Sequence, residues 1–424
     1  MSGVRSLTPS AARLTVSLRD IGYDFPAAVA DLVDNSVSAG ARHVEIVIEF
    51  EGVASRVLIA DDGAGMTRNG LEEALRFGTR CGYGMNDLGR YGLGLKTASL
   101  SQARRISLLT RRGLGRNVSS ATLDLDFIVE QDDWLIRTAD ARDPVIRRAR
   151  ELLTSDSGTV VVWQDLDRVL PEHNPEGGWA RRRVEGLAAR TAEHLAMVFH
   201  RFLTNELGEP LVITVNGEKL GGWDPFARDE EQVQELPRRT FEINVGDFEG
   251  EVVLQRFVLP SRDQFSSPAA FERLSGPLKW NRQQGLYIYR ANRLVQWGGW
   301  GGMRGIDEHT KLGRAALDFS TSLDAVFQVN VAKMRTTIPS QLRPMLERPI
   351  TELCLRADDA YRKTAKRSSG KPRGVRAEAG GDRAAYGLAL RSAAAQSGQY
   401  AAFKLIVEAM RQDDPALVGE LGLD

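Results

Sequence analysis

Cysteine is nearly absent: Cys81 and Cys354 are the only two in 424 residues. They exclude a disulfide framework, offer no metal-ligand spacing, and fit a reducing cytoplasm. Long hydrophobic runs are missing as well. No apolar stretch reaches the roughly 18 residues of a membrane helix, and Met1 to Ser6 lacks the apolar segment of a secretory signal, so neither a membrane partner nor secretion is expected. Charge of one sign is not in excess, because 56 Lys and Arg balance 56 Asp and Glu. A globally basic nucleic-acid binder is thereby excluded, and any such binding must come from local clusters. What is present, 42% hydrophobic and 26% charged residues, is the composition of a soluble globular protein, and the length predicts two or three domains.

Three phrases between Ala28 and Ser99 organise the chain. The first is Ala30-Asp31-Leu32-Val33-Asp34-Asn35-Ser36. Pro26 suits the first turn of a helix and Gly40 its end, while Ala28, Val29, Leu32, Val33 and Ser36 recur at helical spacing and face a sheet. Asp31 and Asn35, four apart, share another face, with Asp34 beside them. Alone, this acidic edge reads as solvated surface. The second phrase, Asp61-Asp62-Gly63-Ala64-Gly65-Met66, follows strands predicted over His43 to Phe50 and Ser55 to Ala60. It sets a carboxylate at a strand end before a glycine turn that lets backbone approach a ligand closely; by itself it is an ordinary turn. The third, Gly89-Arg90-Tyr91-Gly92-Leu93-Gly94-Leu95-Lys96, closes a glycine-rich segment that starts at Gly78 and opens a helix near Leu93. Backbone N–H groups at a helix start suit phosphate oxygens, and Lys96 adds positive charge. No Gly-Lys-Ser/Thr follows, so this is not a Walker A loop.

In this order the phrases resemble the N, G1 and G2 boxes of the GHKL ATPase superfamily, which includes the gyrase B subunit, the ninety-kilodalton heat-shock chaperone, histidine kinases and MutL. The third phrase is most similar to the MutL and MORC branch, especially bacterial MORC-like proteins. The resemblance implies an α+β chain: a Bergerat-fold ATPase α/β sandwich, a ribosomal-protein-like βαβ transducer domain and a short helical tail. It implies ATP and Mg²⁺ as cofactors, with Asn35 on Mg²⁺ and Asp61 reading the adenine amino group. Gly63 and Gly65 would shape the adenine pocket and Met66 and Thr79 would join the cofactor-binding residues, while Gly89, Arg90, Tyr91, Gly92, Leu93, Gly94, Leu95 and Lys96 would form a lid over the phosphates. Gly158-Thr159, opening a strand Val160 to Trp163, matches the Gly-Thr element that supports the adenine carboxylate. One departure is Asp31, where the branch has Glu as general base. The carboxylate is one methylene shorter, and water activation needs hydrogen-bond reach of about 2.6–3.2 Å, so hydrolysis is expected to be slow or to use an intermediate water. Asp34 is the second candidate base.

The domains are expected at 1–169, 170–360 and 361–424. Within the first, residues 6–23 form an arm with a helix from Ser10 to Arg19, and in this branch such an arm crosses to a second subunit when ATP pairs two copies. The second domain holds a helix over Ala180 to Asn205, strands over Leu211 to Val215, Phe241 to Val245, Glu251 to Val258 and Gly285 to Arg290, and a hairpin signal at Asn216-Gly217. Leu286 to Val295 and His200-Arg201-Phe202-Leu203 resemble transducer segments of MutL and MORC proteins. Phe327 to Met334 resembles the strand that carries a transducer lysine to the γ-phosphate, which implies that role for Lys333; a solvated lysine is the plainer alternative. Trp297-Gly298-Gly299-Trp300-Gly301-Gly302 is read as a glycine-rich loop with two exposed aromatics, open to stacking on a base or partner or to domain packing. In the tail, Arg362 to Arg373 reads as a basic flexible linker, and Asp382 to Ala395 and Gln399 to Met410 as helices, the latter with an apolar stripe of Phe403, Leu405, Ile406 and Met410.

The reading is an ATP–Mg²⁺-dependent switch of MutL/MORC type that hydrolyses ATP, forms a homodimer on binding it, acts on double-stranded DNA and engages a nuclease or other effector, in a repair, restriction or phage-defence setting. Arg104-Arg105, Arg111-Arg112, Arg147-Arg148 and Arg181 to Arg183 are the basic clusters compatible with DNA. The alternative is a slow or non-hydrolysing ATP sensor, chaperone-like, acting through protein partners. A two-component kinase is discounted, because the residues before Asp31 contain no His and are too few for a phosphoacceptor helix pair.

Overall fold

The computed structural model describes residues 9–20, 22–77, 94–113, 117–246, 248–330, 336–369, 387, 390–394, 399–421 and 423; Thr79, Gly89, Arg90, Tyr91, Gly92, Leu93 and Lys333 lie outside them. The chain divides into two compact units, Met1–Thr364 and Ala365–Asp424. The first unit opens with α1 (Ala11–Leu18), α2 (Phe25–Ser38), β1 (His43–Glu49), β2 (Arg56–Asp61), α3 (Arg68–Leu75), α4 (Gly94–Leu100), β3 (Arg105–Arg111) and β4 (Ser119–Asp124). It continues with α5 (Leu125–Gln131), α6 (Pro144–Glu151), β5 (Gly158–Gln164), α7 (Gly178–Val198), α8 (His200–Leu203), β6 (Val212–Val215) and β7 (Glu218–Lys219). These strands make one seven-stranded sheet in the order β4-β3-β5-β2-β1-β6-β7. β6 lies parallel to β1, whereas the other pairings are antiparallel. The first sheet therefore does not end at residue 169: β6 and β7 come from beyond it, because β1 needs a partner for its outer edge.

β5 is central and reads as an unbroken apolar run because both of its faces are covered. Val161 and Trp163 join the core beneath α2, with Trp163 edge-on to Phe25 at 5.8 Å, while Val160 and Val162 pack on the other face with Ile146 and Ala149 of α6. α6 is amphipathic, so its arginines stay on the outside. α2 is fixed at both ends. Asp24 accepts the Ala27 N–H at 2.8 Å, Pro26 occupies the first turn, and the chain leaves through Gly40. It is buried along its length, packed against α4 and α7 as well as the sheet. α1, capped by Ser10, packs on α5 of its own chain, and its start is pinned by Asp132, which accepts from Ser10 Oγ (2.7 Å) and Ala12 N–H (3.0 Å).

A second, mixed sheet follows, built of β8 (Gln234–Val245), β9 (Phe248–Val258), β10 (Gly285–Arg290), β11 (Arg293–Trp297) and β12 (Gly313–Phe319) in the order β11-β10-β12-β9-β8. β10 and β12 are parallel. The β8–β9 hairpin shifts register between Leu236 and Arg239, where Pro237 has no N–H for a ladder. α9 (Pro268–Leu274) and α10 (Lys279–Gln283) precede β10, and α11 (Leu342–Ser369) lays Leu342, Leu346, Ile350 and Leu353 on the sheet core. The fold is α+β, as expected, with the second mixed sheet and helical C-terminus in place.

Several expectations need correction. The long helix breaks at Phe199 into α7 and α8 instead of running to Asn205. Trp300 is buried and donates through Nε1 to Gln284 Oε1 at 3.1 Å, and Trp297 is half-buried beside His194, so packing and not base stacking occupies both. The described part of Phe327 to Met334 is a turn, with Phe327 stacked on Phe319 at 3.9 Å. The basic stretch continues α11 as far as Ser369, supported by an Arg362–Asp358 pair at 2.8 Å. In the second unit, α12 (Tyr400–Asp413) and α13 (Pro415–Glu420) pack through Phe403, Val407, Met410 and Val418, while Leu405 and Ile406 are exposed.

Candidate active site

Helix α2 carries Asp31, Asp34 and Asn35 across one turn. Asp31 is buried, and Oδ2 accepts a hydrogen bond from the Tyr23 hydroxyl at 3.0 Å. Burial, followed by the charge of Asp31, pushes the Tyr23 phenol well above its ordinary range, so it stays a donor. The first residue of α4, Gly94, lies directly over Asp31: a Cβ there would sit 2.4 Å from Oδ2. A side chain at this position would have to displace the Asp31 carboxylate, so glycine lets the start of α4 approach it this closely.

Asp61 sits half-buried at the end of β2. Its Oδ2 accepts from Ser36 Oγ and its Oδ1 from the Gly63 N–H, both at 3.0 Å. Burial raises the Asp61 carboxyl pKa above the ordinary value, against the opposing pull of the Gly63, Ser36 and Thr159 donors. Thr159 faces Asp61 across the β2–β5 ladder. Behind it lies a residue the motifs do not reveal, Thr110 at the end of β3. Its hydroxyl donates to the Gly158 carbonyl (3.1 Å), lies 3.2 Å from Thr159 Oγ1 and accepts the Met66 N–H (2.8 Å). It thus fastens the glycine turn to β5. Gly65 makes this possible, with φ +63° and a Cβ position only 1.8 Å from the Arg111 carbonyl oxygen. Asp62 faces away and accepts the Arg42 and His43 N–H groups at 2.7 and 2.9 Å.

The Lys96 ammonium is buried and donates to the Ala74 and Arg76 carbonyls at 2.9 and 2.7 Å, satisfying the end of α3. Burial pulls its pKa down to about 8, with Glu73 opposing. Leu95 packs on the core. The structure therefore brings together Asp31, Gly94, Asn35, Ser36, Asp61, Gly63, Gly65, Met66 and Thr159, with Lys96 turned to the end of α3.

The chemistry of a metal site is present in a limited form. Asn35 Nδ2 is buried without a partner among the described residues, and the same amide carries an oxygen of the kind that a hard cation takes. Among the described residues no cluster of three His, Cys, Asp or Glu forms a metal cage. One side-chain oxygen suits Mg²⁺ of the kind held jointly by protein and substrate phosphates.

Residues 23–159 match the family described as histidine kinase-, DNA gyrase B- and HSP90-like ATPases, and the match begins at the residue that holds Asp31 and ends at the one that faces Asp61. This segment is a GHKL-type ATPase domain, a class that binds and hydrolyses ATP and typically takes it with Mg²⁺. Within that class the chain is distantly similar to a MORC ATPase: it is 36% identical to "ATPase morc-1" of Caenorhabditis elegans over 89 residues, which are 20% of this chain and 10% of that protein. No described helix is long and apolar enough to cross a membrane.

Proposed function

We propose that this chain is an ATP–Mg²⁺-dependent molecular switch of MutL/MORC type. The observation that carries it is the convergence on α2: Asp31 and Asn35 lie one helical turn apart, and Ser36 of the same helix holds Asp61. In this reading Asp61 accepts from the adenine amino group, Asn35 holds Mg²⁺ and Asp31 accepts the proton of the attacking water. Mg²⁺, if held by Asn35 with the nucleotide, would supply charge neutralisation at the phosphates. Tyr23 holds Asp31 in place, and Gly94 admits the start of α4 beside it. Lys333 is the candidate for γ-phosphate contact, and the second sheet is the candidate transducer of a Bergerat-type domain. ATP binding pairs two copies of the chain, and the dimer acts on double-stranded DNA, with a nuclease or other effector as a further partner. Support for DNA is the weaker part. Arg104 and Arg105 are already paired with Asp126, Asp167 and Asp165, and Arg183 donates to the Val169 carbonyl.

Steady-state ATP turnover of the wild type and Asp31→Ala, with and without duplex DNA, tests this. The expected result is turnover in the wild type that falls at least about 100-fold in the variant, the order of a lost general base, while ATP is still bound. ATP binding without turnover in the wild type would instead establish the sensor reading.

A further inference from the structure

The helix that carries the candidate catalytic groups is also gripped from the second sheet. Arg293, the first residue of β11, donates through Nε to Asp34 Oδ1 at 2.9 Å, with the two side chains 3% and 0% exposed. Its guanidinium lies 5.9 Å from the ring centre of Phe199 at the end of α7. Arg290, opposite Arg293 across the same hairpin turn, makes a two-point pair with Asp324, Nε to Oδ1 and Nη2 to Oδ2, each at 2.7 Å. Asp324 anchors Val329 through its carbonyl at 3.2 Å, and Gln296 of β11 accepts the Thr336 N–H at 3.1 Å. The described residues on either side of 331–335 are thus fastened to the hairpin that also holds α2.

The turn itself is costly to form. Ala291 and Asn292 both have positive φ, +46° and +68°, a conformation that glycine adopts more readily than alanine. Arg201 holds Asn292 Oδ1 at 3.3 Å and also pairs with Asp318, so the turn is braced from the β12 side. A buried ion pair is weak support for stability, since apolar side chains of similar volume often do as well or better. Stability alone therefore does not account for Arg293–Asp34.

We propose that Arg293 is a positioning residue for the nucleotide reaction: through Asp34 it sets the rotation of α2, and it makes the β10–β11 hairpin the element by which the second sheet biases the nucleotide site. At 3.6 residues per turn, Asp31 and Asn35 lie about 60° and about 100° around the helix from Asp34, within one turn of it. A displacement of Asp34 therefore moves both. This inference rests on the ATPase reading of the α2 site.

The test uses the full chain, with Arg293→Met, Asp34→Leu/Arg293→Met and Arg293→Lys. Three quantities are read: thermal midpoint, ATP kcat and KM, and the gain in affinity for N-methylanthraniloyl-ATP on adding Mg²⁺. Arg293→Met is expected to lower kcat by about 10- to 100-fold, the order of an ångström-scale misplacement, with KM changed less than about threefold. The Mg²⁺-dependent gain should shrink with kcat. The double variant removes the unpaired charge, so its midpoint should recover while the Mg²⁺ gain stays low; because Asp34 is itself a candidate base, kcat is read only in the single variants. Should Arg293→Met fail to fold, Arg293→Lys keeps a buried cation, and the same losses are expected in weaker form. Recovery of the Mg²⁺ gain together with the midpoint would overturn the proposal and leave the pair a packing feature. A wild type that binds the analogue without turnover removes the hydrolysis reading, and the Mg²⁺ gain then decides the role of Arg293 alone. A wild type that binds no nucleotide overturns both.

Discussion

Asp61 and Asp324 are held in opposite ways. At the end of β2, Asp61 is held by a hydroxyl and backbone N–H groups, and burial pushes its pKa up. Beneath the second sheet, Asp324 is enclosed with Arg290 in a two-point ion pair, 7% and 2% exposed. Neutral donors orient a carboxylate without cancelling its charge, so it keeps accepting capacity for an incoming donor. A guanidinium fork uses up that capacity and converts the carboxylate into a fastening. The difference separates a region organised for a ligand from one organised to hold and transmit position.

The sharpest way to break this contrast is to remove the fastening. Arg290→Ala leaves Asp324 buried without its fork and is expected to destabilise the chain by about 3–5 kcal/mol in urea unfolding. A loss below about 1 kcal/mol would mean that Asp324 finds solvent. Asp61→Asn probes the other side. Removing a charged acceptor should weaken ATP binding by about 10- to 100-fold in calorimetry, corresponding to about 1.5–3 kcal/mol. Because burial disfavours the Asp61 charge, the unfolding midpoint should stay level or rise. A falling midpoint with unchanged affinity would make Asp61 structural. A pH effect concerns groups that neither region pairs with an opposite charge. Burial pulls His194 and His200 each down to about 4, with Arg293 adding to the shift for the first and Asp224 opposing it for the second. The unfolded chain then binds more protons than the folded one between about pH 6.5 and about pH 4. Stability present above pH 6.5 should fall as pH drops through that window, by at most about 1.4 kcal/mol per pH unit per histidine. Unfolding curves at pH 7, 6 and 5 measure it, and His194→Gln should flatten the slope.

What could be read in advance followed local signals. α2 was legible to within a residue at each end, because Pro26 and Gly40 punctuate an apolar repeat; the cap at Asp24 was not read. β10 was legible as a strand for its run of large apolar residues, and β1 for its alternation. β3 and β12 were not picked out, since arginine, serine, threonine and aspartate dilute strands that are buried on both faces. Thr110 was hidden with β3. Lys96 showed only that a cation stands near a helix start; whether it meets phosphates or carbonyls depends on where α3 ends, which the spacing does not encode. Arg293 and Asp34 are 259 residues apart, and no local pattern announces a pair made by docking one sheet on another.

The parallel seat of β6 on β1 has a consequence for how this chain is made and cut. A nascent chain released only as far as residue 169 would carry all three nucleotide-binding phrases, yet β1 would present a bare ladder edge and α2 would lack the cover of α7. Such an edge templates association between copies. The ATPase domain is thus completed from outside its own motifs. Fragments meant to isolate it should run past Lys219, and the ribosome reaches a closed first sheet only after β6 has emerged.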